Sequence, residues 1–379
     1  KIEFDTSTSK LKVKTPGKDY AIFPLSHHKK TIIIDGAIAY TGGVNIREVY
    51  SDTSKHIKKK RTDTTMVGWH DSFVRIKGSY ILPQFIASYV GLWNQERTRA
   101  EAFLKNAYAA NKLLPQNISL YTRPTSAMSV AAIATSASST VTGSIPGQVR
   151  RTISRGSFSL SVKNVSIRKD ILEGYKRAIE LAEDFIYIES QYFREKEIAD
   201  AIIKRHTNKN ALRFILLLPD TAEELLKANP DVITLHGAFL QHSLISKLEN
   251  ALKANFGVFS LNRSAKEMVY VHSKLMIVDD KWASIGSANA NPRGFNADTE
   301  LDFVWYDSKS VTDLRIKLWE EYVGVNSGMR KWKATQFVEK WKKIAEKNKK
   351  SPAKRNGMAW PFNNKMAGTK ADDRLDIFT

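Results

Sequence analysis

Short apolar, β-branched runs alternate along this chain with stretches of helical period. Ile32–Ile34, Ile186–Ile188, Phe214–Leu218 and Leu275–Val278 are uninterrupted apolar runs of strand length and predict buried strands. Ile171–Leu181 and Ile198–Lys204 place apolar residues at helical spacing between such strands. That alternation predicts an α/β architecture on a parallel or mixed sheet. Thr125–Ser144 is rich in Ser, Thr and Ala and carries no charge, which predicts a linker or surface loop within residues 125–160. Beyond a break at Asn326–Gly328, Ala334, Phe337, Val338, Trp341, Ile344 and Ala345 recur at helical spacing among lysines. A basic amphipathic helix over Lys331–Lys350 follows, either lying on a membrane surface or docked on the body with its lysines in water. The tail, with Pro352, Gly357, Pro361 and Gly368, predicts no element.

The pattern contains a repeat. Residues 27–45 read HHKKTIIIDGAIAYTGGVN, and residues 271–289 read VHSKLMIVDDKWASIGSAN. They align without a gap. The first copy carries His28, Lys30, Asp35, the pair Gly42 and Gly43, and Asn45. The second carries His272, Lys274, Asp279, the pair Gly286 and Ser287, and Asn289 at the same spacings. Alternate residues of an extended strand share a face, so each histidine projects beside its lysine. Asp35-Gly36 is a hairpin-turn signal, and Asp279-Asp280 stands at the same place. Asp at a turn caps backbone N–H groups, so a structural role is expected for Asp35 and Asp279. The small pair lets backbone approach an anion closely. Asn45 and Asn289 are expected to start helices whose free N–H groups favour phosphate. His27 lies on the strand face opposite His28 and is secondary.

Two such units facing each other gather two imidazoles, two ammonium groups and two amides. That set suits phosphodiester cleavage. Lysines and amides stabilise charge on the non-bridging oxygens. One imidazole attacks phosphorus, and the other protonates the leaving alcohol and then activates water. The lysines supply the positive charge, so the chemistry calls for no metal and no cofactor. A histidine alone on a strand is commonly structural; duplication with lysine at matched spacing reverses that reading.

The chain has 379 residues, room for two domains. Its 59 Lys and Arg against 39 Asp and Glu give a formal charge of +20, which favours anionic partners. Charge does not choose between nucleic acid, an acidic membrane and a phosphate substrate. The basic run Lys55–Arg61 is placed to steer such partners or is a solvated loop. The absence of cysteine excludes disulfide and thiol chemistry. No apolar run reaches the length of about 18 residues that marks a transmembrane helix. The opening KIEFDTSTSK lacks a signal-peptide core and does not begin with Met, so a piece of a longer chain is expected.

Both copies of the repeat resemble, in full, the phospholipase D superfamily motif His-x-Lys-x4-Asp-x6-Gly-(Gly/Ser)-x-Asn. Residues 65–78 (TMVGWHDSFVRIKG), 185–193 (FIYIESQYF), 287–303 (SANANPRGFNADTELDF) and 314–324 (LRIKLWEEYVG) resemble flanking segments of its lipid-cleaving members. The resemblance implies two α/β lobes with mixed sheets flanked by helices, related by a pseudo-two-fold axis, with the active site between them. The first lobe would be residues 1–124 and the second 161–325, joined by 125–160 and followed by a basic helix and tail over 326–379. It implies carboxylates that orient the histidines; the positional matches are Asp71 in the first half and Glu300 in the second. It favours His28 as nucleophile and His272 as general acid and base.

The function implied is a phospholipase D. It would hydrolyse glycerophospholipids at an anionic membrane surface to phosphatidic acid and free headgroup, through a phosphohistidine intermediate, with transphosphatidylation open. The chain also resembles bacterial secreted lipase effectors, which implies secretion or translocation to a target membrane. Two other readings stay open: a superfamily nuclease, disfavoured by the flanking segments, and a non-catalytic basic membrane-binding protein, disfavoured by the duplicated motif. Only 27 residues precede His28, whereas about a hundred residues of predicted elements precede the second motif. The first lobe is therefore expected to be completed by a further segment or chain.

Overall fold

The computed structural model describes residues 2–5, 10–15, 18–22, 26–47, 50, 52–56, 68–78, 80–104, 129–134, 138–142, 145–154, 166–209, 211–226, 228–366, 368–371 and 373–379. Strands β1 (Ile2–Asp5), β2 (Lys10–Thr15) and β3 (Lys18–Ile22) pair antiparallel as a separate sheet. Next come β4 (Thr31–Ile34), β5 (Ile38–Gly42), β6 (Trp69–His70), β7 (Ser72–Lys77), α1 (Leu82–Leu104), β8 (Ser129–Ala134) and β9 (Ser138–Thr142). A five-stranded antiparallel sheet runs β4-β5-β7-β8-β9.

The second half begins with β10 (Gly147–Ser154), β11 (Ser166–Lys169), α2 (Asp170–Leu181), β12 (Phe185–Glu189), α3 (Lys196–Asn208) and β13 (Arg213–Leu217). It continues with α4 (Val232–Leu252), β14 (Phe256–Ser264), β15 (Glu267–Val271), β16 (Leu275–Val278), β17 (Trp282–Gly286), α5 (Pro292–Asn296) and β18 (Glu300–Tyr306). Helices α6 (Ser308–Val323) and α7 (Phe337–Lys350) and strand β19 (Ala359–Pro361) close the chain. These strands form one large sheet in the order β11-β10-β18-β17-β16-β12-β13-β14-β15-β6, with β19 paired to β14. Pairs β12–β13 and β13–β14 are parallel while β12–β16 is antiparallel, so the fold is mixed α/β, as the alternation of strands and helices predicts.

The apolar runs of the second half are unbroken because both sheet faces are covered there. Alternate residues serve two cores. Ile186, Ile188, Phe214 and Leu216 face α2, α3 and α4 through Ile179, Ile198, Ile202 and Leu248. Tyr187, Ile215 and Leu217 face the other way, onto Leu318, Trp319 and Tyr322 of α6 and Trp341 of α7. That second core also takes Ala39, Val74 and Ile76 of the five-stranded sheet and Phe85 of α1, so the halves share one apolar layer.

The halves are covered unequally. In β16, Met276 is 0% and Val278 4% exposed, whereas their counterparts in β4, Ile32 and Ile34, are 53% and 42% exposed. The outer edge of β16 pairs with β12, while β4 is a sheet edge among the described residues.

Three expectations need correction. The Ser/Thr/Ala-rich stretch is not a linker where it is described: β8 and β9 form a hairpin that extends the sheet from β7, and β10 pairs with β18. Small and β-branched side chains suffice there because the pairing comes from the backbone. Of the two settings expected for the lysine-rich helix, the docked one holds and the membrane-surface one falls away: Phe337, Val338, Trp341 and Ala345 are buried in the shared core. Finally, Asn289 does not start a helix, and among the described residues no helix begins directly after Asn45, residues 48–49 lying outside them. The N-cap of α5 is Asn291, and α5 has five residues.

Candidate active site

Both motifs build the same local structure. The histidine and lysine lie just ahead of a short strand, which runs to a turn of two consecutive positive-φ residues, Asp35 and Gly36 in one copy, Asp279 and Asp280 in the other. Asp279 accepts backbone N–H groups from Glu183, Asp184 and Phe185 at 2.6, 2.8 and 2.8 Å, which ties this turn to the start of β12. Asp35 lies exposed at the equivalent turn. After the return strand, the N–H of Gly43 donates to the Ser72 carbonyl (3.0 Å) and that of Ser287 to the Leu301 carbonyl (3.1 Å). Each acceptor directly follows its half's carboxylate, Asp71 or Glu300. A β-carbon on Gly43 would collide with the Asp71 carboxylate, so only glycine lets the strands approach this closely. The Ser287 hydroxyl donates to Oε2 of Glu300 at 2.5 Å.

Each carboxylate is thus seated by its own half and presented to the other. Nδ1 of His28 donates to Oε1 of Glu300 at 2.8 Å, and Nδ1 of His272 donates to Oδ2 of Asp71 at 2.7 Å. The backbone repeats the crossing: His28 N–H donates to the Thr299 carbonyl (2.9 Å) and His272 N–H to the His70 carbonyl (2.8 Å). The positional matches placed one carboxylate in each half; the structure shows that each serves the histidine of the opposite half. An ionised carboxylate only accepts, so Nδ1 of His28 carries the proton and its Nε2 is left bare, whereas Nδ1 of His272 lies 2.9 Å from Lys274 Nζ as well as beside Asp71.

Lys30 and Lys274 fold back beside their histidines. Lys30 Nζ donates to the His28 carbonyl at 2.6 Å, and Lys274 Nζ donates to the His272 carbonyl. Burial pushes the Lys30 ammonium down to about 8 and that of Lys274 down to about 7. Burial and then Lys30 and Lys274 push His28 down to about 3. Burial and then the same lysines, Lys274 before Lys30, push His272 down as well, so both rings are neutral at pH 7. Burial raises Glu300, and raises Asp71 to about 7, against the pull of the lysines. Both lysines act on His28, and Lys30 and His28 act on His272, so the motifs share one electrostatic centre.

The asparagines differ. Asn45 Nδ2 donates to the Tyr50 hydroxyl at 2.7 Å, and that hydroxyl lies 3.3 Å from Nδ1 and 3.4 Å from Nε2 of His272. Asn289 is buried, and its Oδ1 has no hydrogen-bond partner. His27 points away and meets Glu96 at 3.6 Å. Sequence reasoning missed three contributors. Tyr50 has no motif around it. Trp69 stacks on His272 with centroids 5.0 Å apart. Asp302, inside a segment valued for Glu300, accepts the N–H groups of Ser287 (3.1 Å) and Ala288 (3.2 Å) and so holds the small pair in place.

The arrangement can bind a phosphate between two ammonium groups, with a bare imidazole nitrogen available from each half. Of the basic run Lys55–Arg61, Lys55 is exposed and His56 fully buried, and residues 57–61 lie outside the described residues. Among the described residues, no helix is long and apolar enough to cross a membrane.

The chain also has likenesses among known proteins. Residues 175–321 match the family model described as "Cardiolipin synthase, PLD-like domain". Phospholipase D zeta 1 of Arabidopsis thaliana is 26% identical over 239 residues, covering 48% of this chain and 21% of that protein. Phospholipase D1 of Saccharomyces cerevisiae is 23% identical over 400 residues, covering 85% and 24% respectively. Cardiolipin synthase 2 of Staphylococcus epidermidis (strain RP62A) is 21% identical over 293 residues, covering 76% and 46%. The matched region is therefore less than half the length of each of these relatives. Among solved structures, phosphatidylserine synthase of Haemophilus influenzae Rd KW20 superposes with a TM-score of 0.46 at 13% identity, covering 84% of this chain and 68% of that one. NucT of Helicobacter pylori gives a TM-score of 0.31 at 17% identity, covering 46% and 93%. Residues 175–321, with the second His-x-Lys motif inside them, are thus similar to a phospholipase D-like domain.

Proposed function

We propose that the chain is a phosphodiesterase of the phospholipase D type acting on phospholipids. The observation that carries this reading is the crossed pair of carboxylate–histidine contacts around buried Lys274 and half-buried Lys30. In the first step Nε2 of His28 bonds to phosphorus, and the bond from phosphorus to the leaving alcohol breaks. The departing oxygen takes a proton from Nε2 of His272, which the ring first takes up from solvent when substrate binds. The bound phosphate raises the proton affinity of His272 by offsetting the lysines that depress it. In the second step His272 removes a proton from the acceptor, whose oxygen bonds to phosphorus as the P–N bond breaks. Lys30 and Lys274 hold the non-bridging oxygens throughout, with Asn289 beside them.

Water as acceptor gives phosphatidic acid and a free headgroup. A second alcohol gives a transferred phosphatidyl group, the outcome suggested by the cardiolipin synthase relatives. Within this reading, the secreted-effector assignment rests on sequence resemblance alone. Headgroup release over a panel of glycerophospholipids, with plasmid DNA as control, tests the proposal. Release from at least one lipid and no DNA cleavage is expected. DNA cleavage without lipid turnover would favour the nuclease reading. Vesicle binding without turnover, unchanged by replacing both His28 and His272 with alanine, would favour the scaffold.

A further inference from the structure

Away from the reacting phosphorus, a second buried cluster joins the two halves. His56 and His70 are both 0% exposed, and the Glu321 side chain is 6% exposed. One donor atom from each lies within 4.8 Å of the others. Nε2 of His56 is 2.8 Å and Nδ1 of His70 is 3.9 Å from Oε1 of Glu321. These separations bracket the edge of about 3.3 Å that a tetrahedral zinc site with bonds near 2 Å requires.

The far nitrogens are already engaged. Nδ1 of His56 donates to Oδ2 of Asp52 at 2.7 Å. Nε2 of His70 faces the Tyr322 hydroxyl at 2.6 Å and Oε2 of Glu189 at 3.2 Å. Glu189 is fixed in turn by the hydroxyls of Tyr187 at 2.7 Å and Tyr322 at 3.1 Å. A carboxylate on the distal nitrogen is what orients a histidine as a metal ligand and sets its tautomer. The near side is unsatisfied: Nδ1 of His70 and Oε2 of Glu321 are buried without a hydrogen-bond partner. A cavity of about 670 Å³, lined in part by Lys55, Arg263 and Glu321, opens beside the cluster and offers an entry path.

We propose that His56, His70 and Glu321 bind a divalent transition-metal cation, zinc by the chemistry of the donors, with water in the fourth position. Two imidazole nitrogens and one carboxylate oxygen suit zinc, and a dication balances the carboxylates of Asp52, Glu189 and Glu321 around neutral rings. The cation stands apart from the reacting centre and acts by position. It ties the loop behind Tyr50 and the strand leading into Asp71 to α6, and both Tyr50 and Asp71 touch His272. The rival state is an imidazolium: burial lowers His56, but hydrogen bonds to Asp52 and Glu321 outweigh it and raise the ring to about 9. Zinc binding would expel that proton.

The test loads the full chain with zinc, dialyses it against metal-free buffer and measures bound metal by mass spectrometry together with the melting temperature. Equimolar zinc that raises the melting temperature, and a cobalt-substituted form with the visible absorption of a four-coordinate centre, are expected. Asp52→Asn touches no donor atom and is expected to weaken zinc binding about 10–100-fold while the chain stays folded. His70→Ala is expected to lose the metal. Folded wild-type protein that retains no zinc overturns the proposal, as does zinc retained equally by both variants. A zinc-treated chain whose His56 ring keeps both N–H protons by NMR also overturns it.

Discussion

Glu300, in the second half of the chain, accepts the Nδ1 proton of His28, in the first half, at 2.8 Å. Asp71 and His272 repeat the contact in the opposite sense at 2.7 Å. Neither histidine can be poised unless both halves are in place, because each half supplies the other's orienting group. The crossing separates the two carboxylates by function. Asp71→Asn disturbs the ring assigned to leaving-group protonation, so its defect should shrink sharply with a p-nitrophenyl leaving group that needs no proton. Glu300→Gln disturbs the ring assigned to attack, so its defect should persist with the same substrate. Comparing kcat on headgroup and p-nitrophenyl esters checks both; equal rescue of the two variants would count against the assignment.

The lysines set an alkaline limit. A deprotonated lysine cannot hold a phosphate oxygen, and burial brings Lys274 down to about 7 and Lys30 down to about 8. As pH rises through this range charge is lost, so kcat/KM should fall. His28, down at about 3, stays neutral throughout and imposes no acid limit near neutrality. Bound phosphate favours the charged lysines, so the fall in kcat should lie at higher pH than the fall in kcat/KM. Lys30→Ala or Lys274→Ala should cost about 3 kcal/mol of transition-state stabilisation, roughly a hundredfold in rate.

Tyr50 links the first motif to the second histidine. Its hydroxyl accepts from Asn45 at 2.7 Å and lies 3.3 Å from Nδ1 of His272. Tyr50→Phe keeps the ring packing against Trp69 and removes only the hydroxyl. A loss of about 1 kcal/mol, some fivefold in kcat, is expected, with the melting temperature nearly unchanged. A defect in stability with normal kcat would make the residue a packing element instead.

Much of this was legible in the chain, and the failures have physical causes. Leu275–Val278 announced its strand because a run buried on both faces needs no polar residue. Ser129–Ala134 did not, since its pairing to β7 lies in the backbone and its small side chains resemble a loop. The amphipathic pattern of α7 was visible, but an apolar stripe looks the same whether it meets lipid or Trp319, which lies 5.1 Å from the Trp341 ring. The repeat located both histidines and both lysines. It could not show the crossing, because which ring a carboxylate faces depends on how the halves pack. His56 was hidden in a lysine run, and it is held by Asp52, four residues earlier, and by Glu321, distant in the chain, with no shared motif.

The uneven covering of β4 and β16 bears on the expected completion of the first lobe. Ile32 and Ile34 are 53% and 42% exposed, on a sheet edge where the second half has β12. Asp35 is exposed where Asp279 caps the entry to β12. We expect a strand from outside the described residues to pair with β4 and bring an apolar cover over these isoleucines. Ile32→Ala should then destabilise the intact protein by about 2–5 kcal/mol, the cost at a core site. A change within about 0.5 kcal/mol, as at open surface, would show that the face stays bare.

The central claim is a two-step transfer through His28, and trapping the intermediate tests it most directly. His272→Ala, mixed with a short-chain phosphatidyl ester of p-nitrophenol, should release p-nitrophenol in a burst of one equivalent per site and then stall. Peptide mapping should then find the phosphatidyl group on His28, and His28→Ala should give neither burst nor adduct. An adduct on His272 of the wild-type enzyme would reverse the roles, and turnover with no histidine adduct under any trapping condition would contradict the covalent mechanism itself.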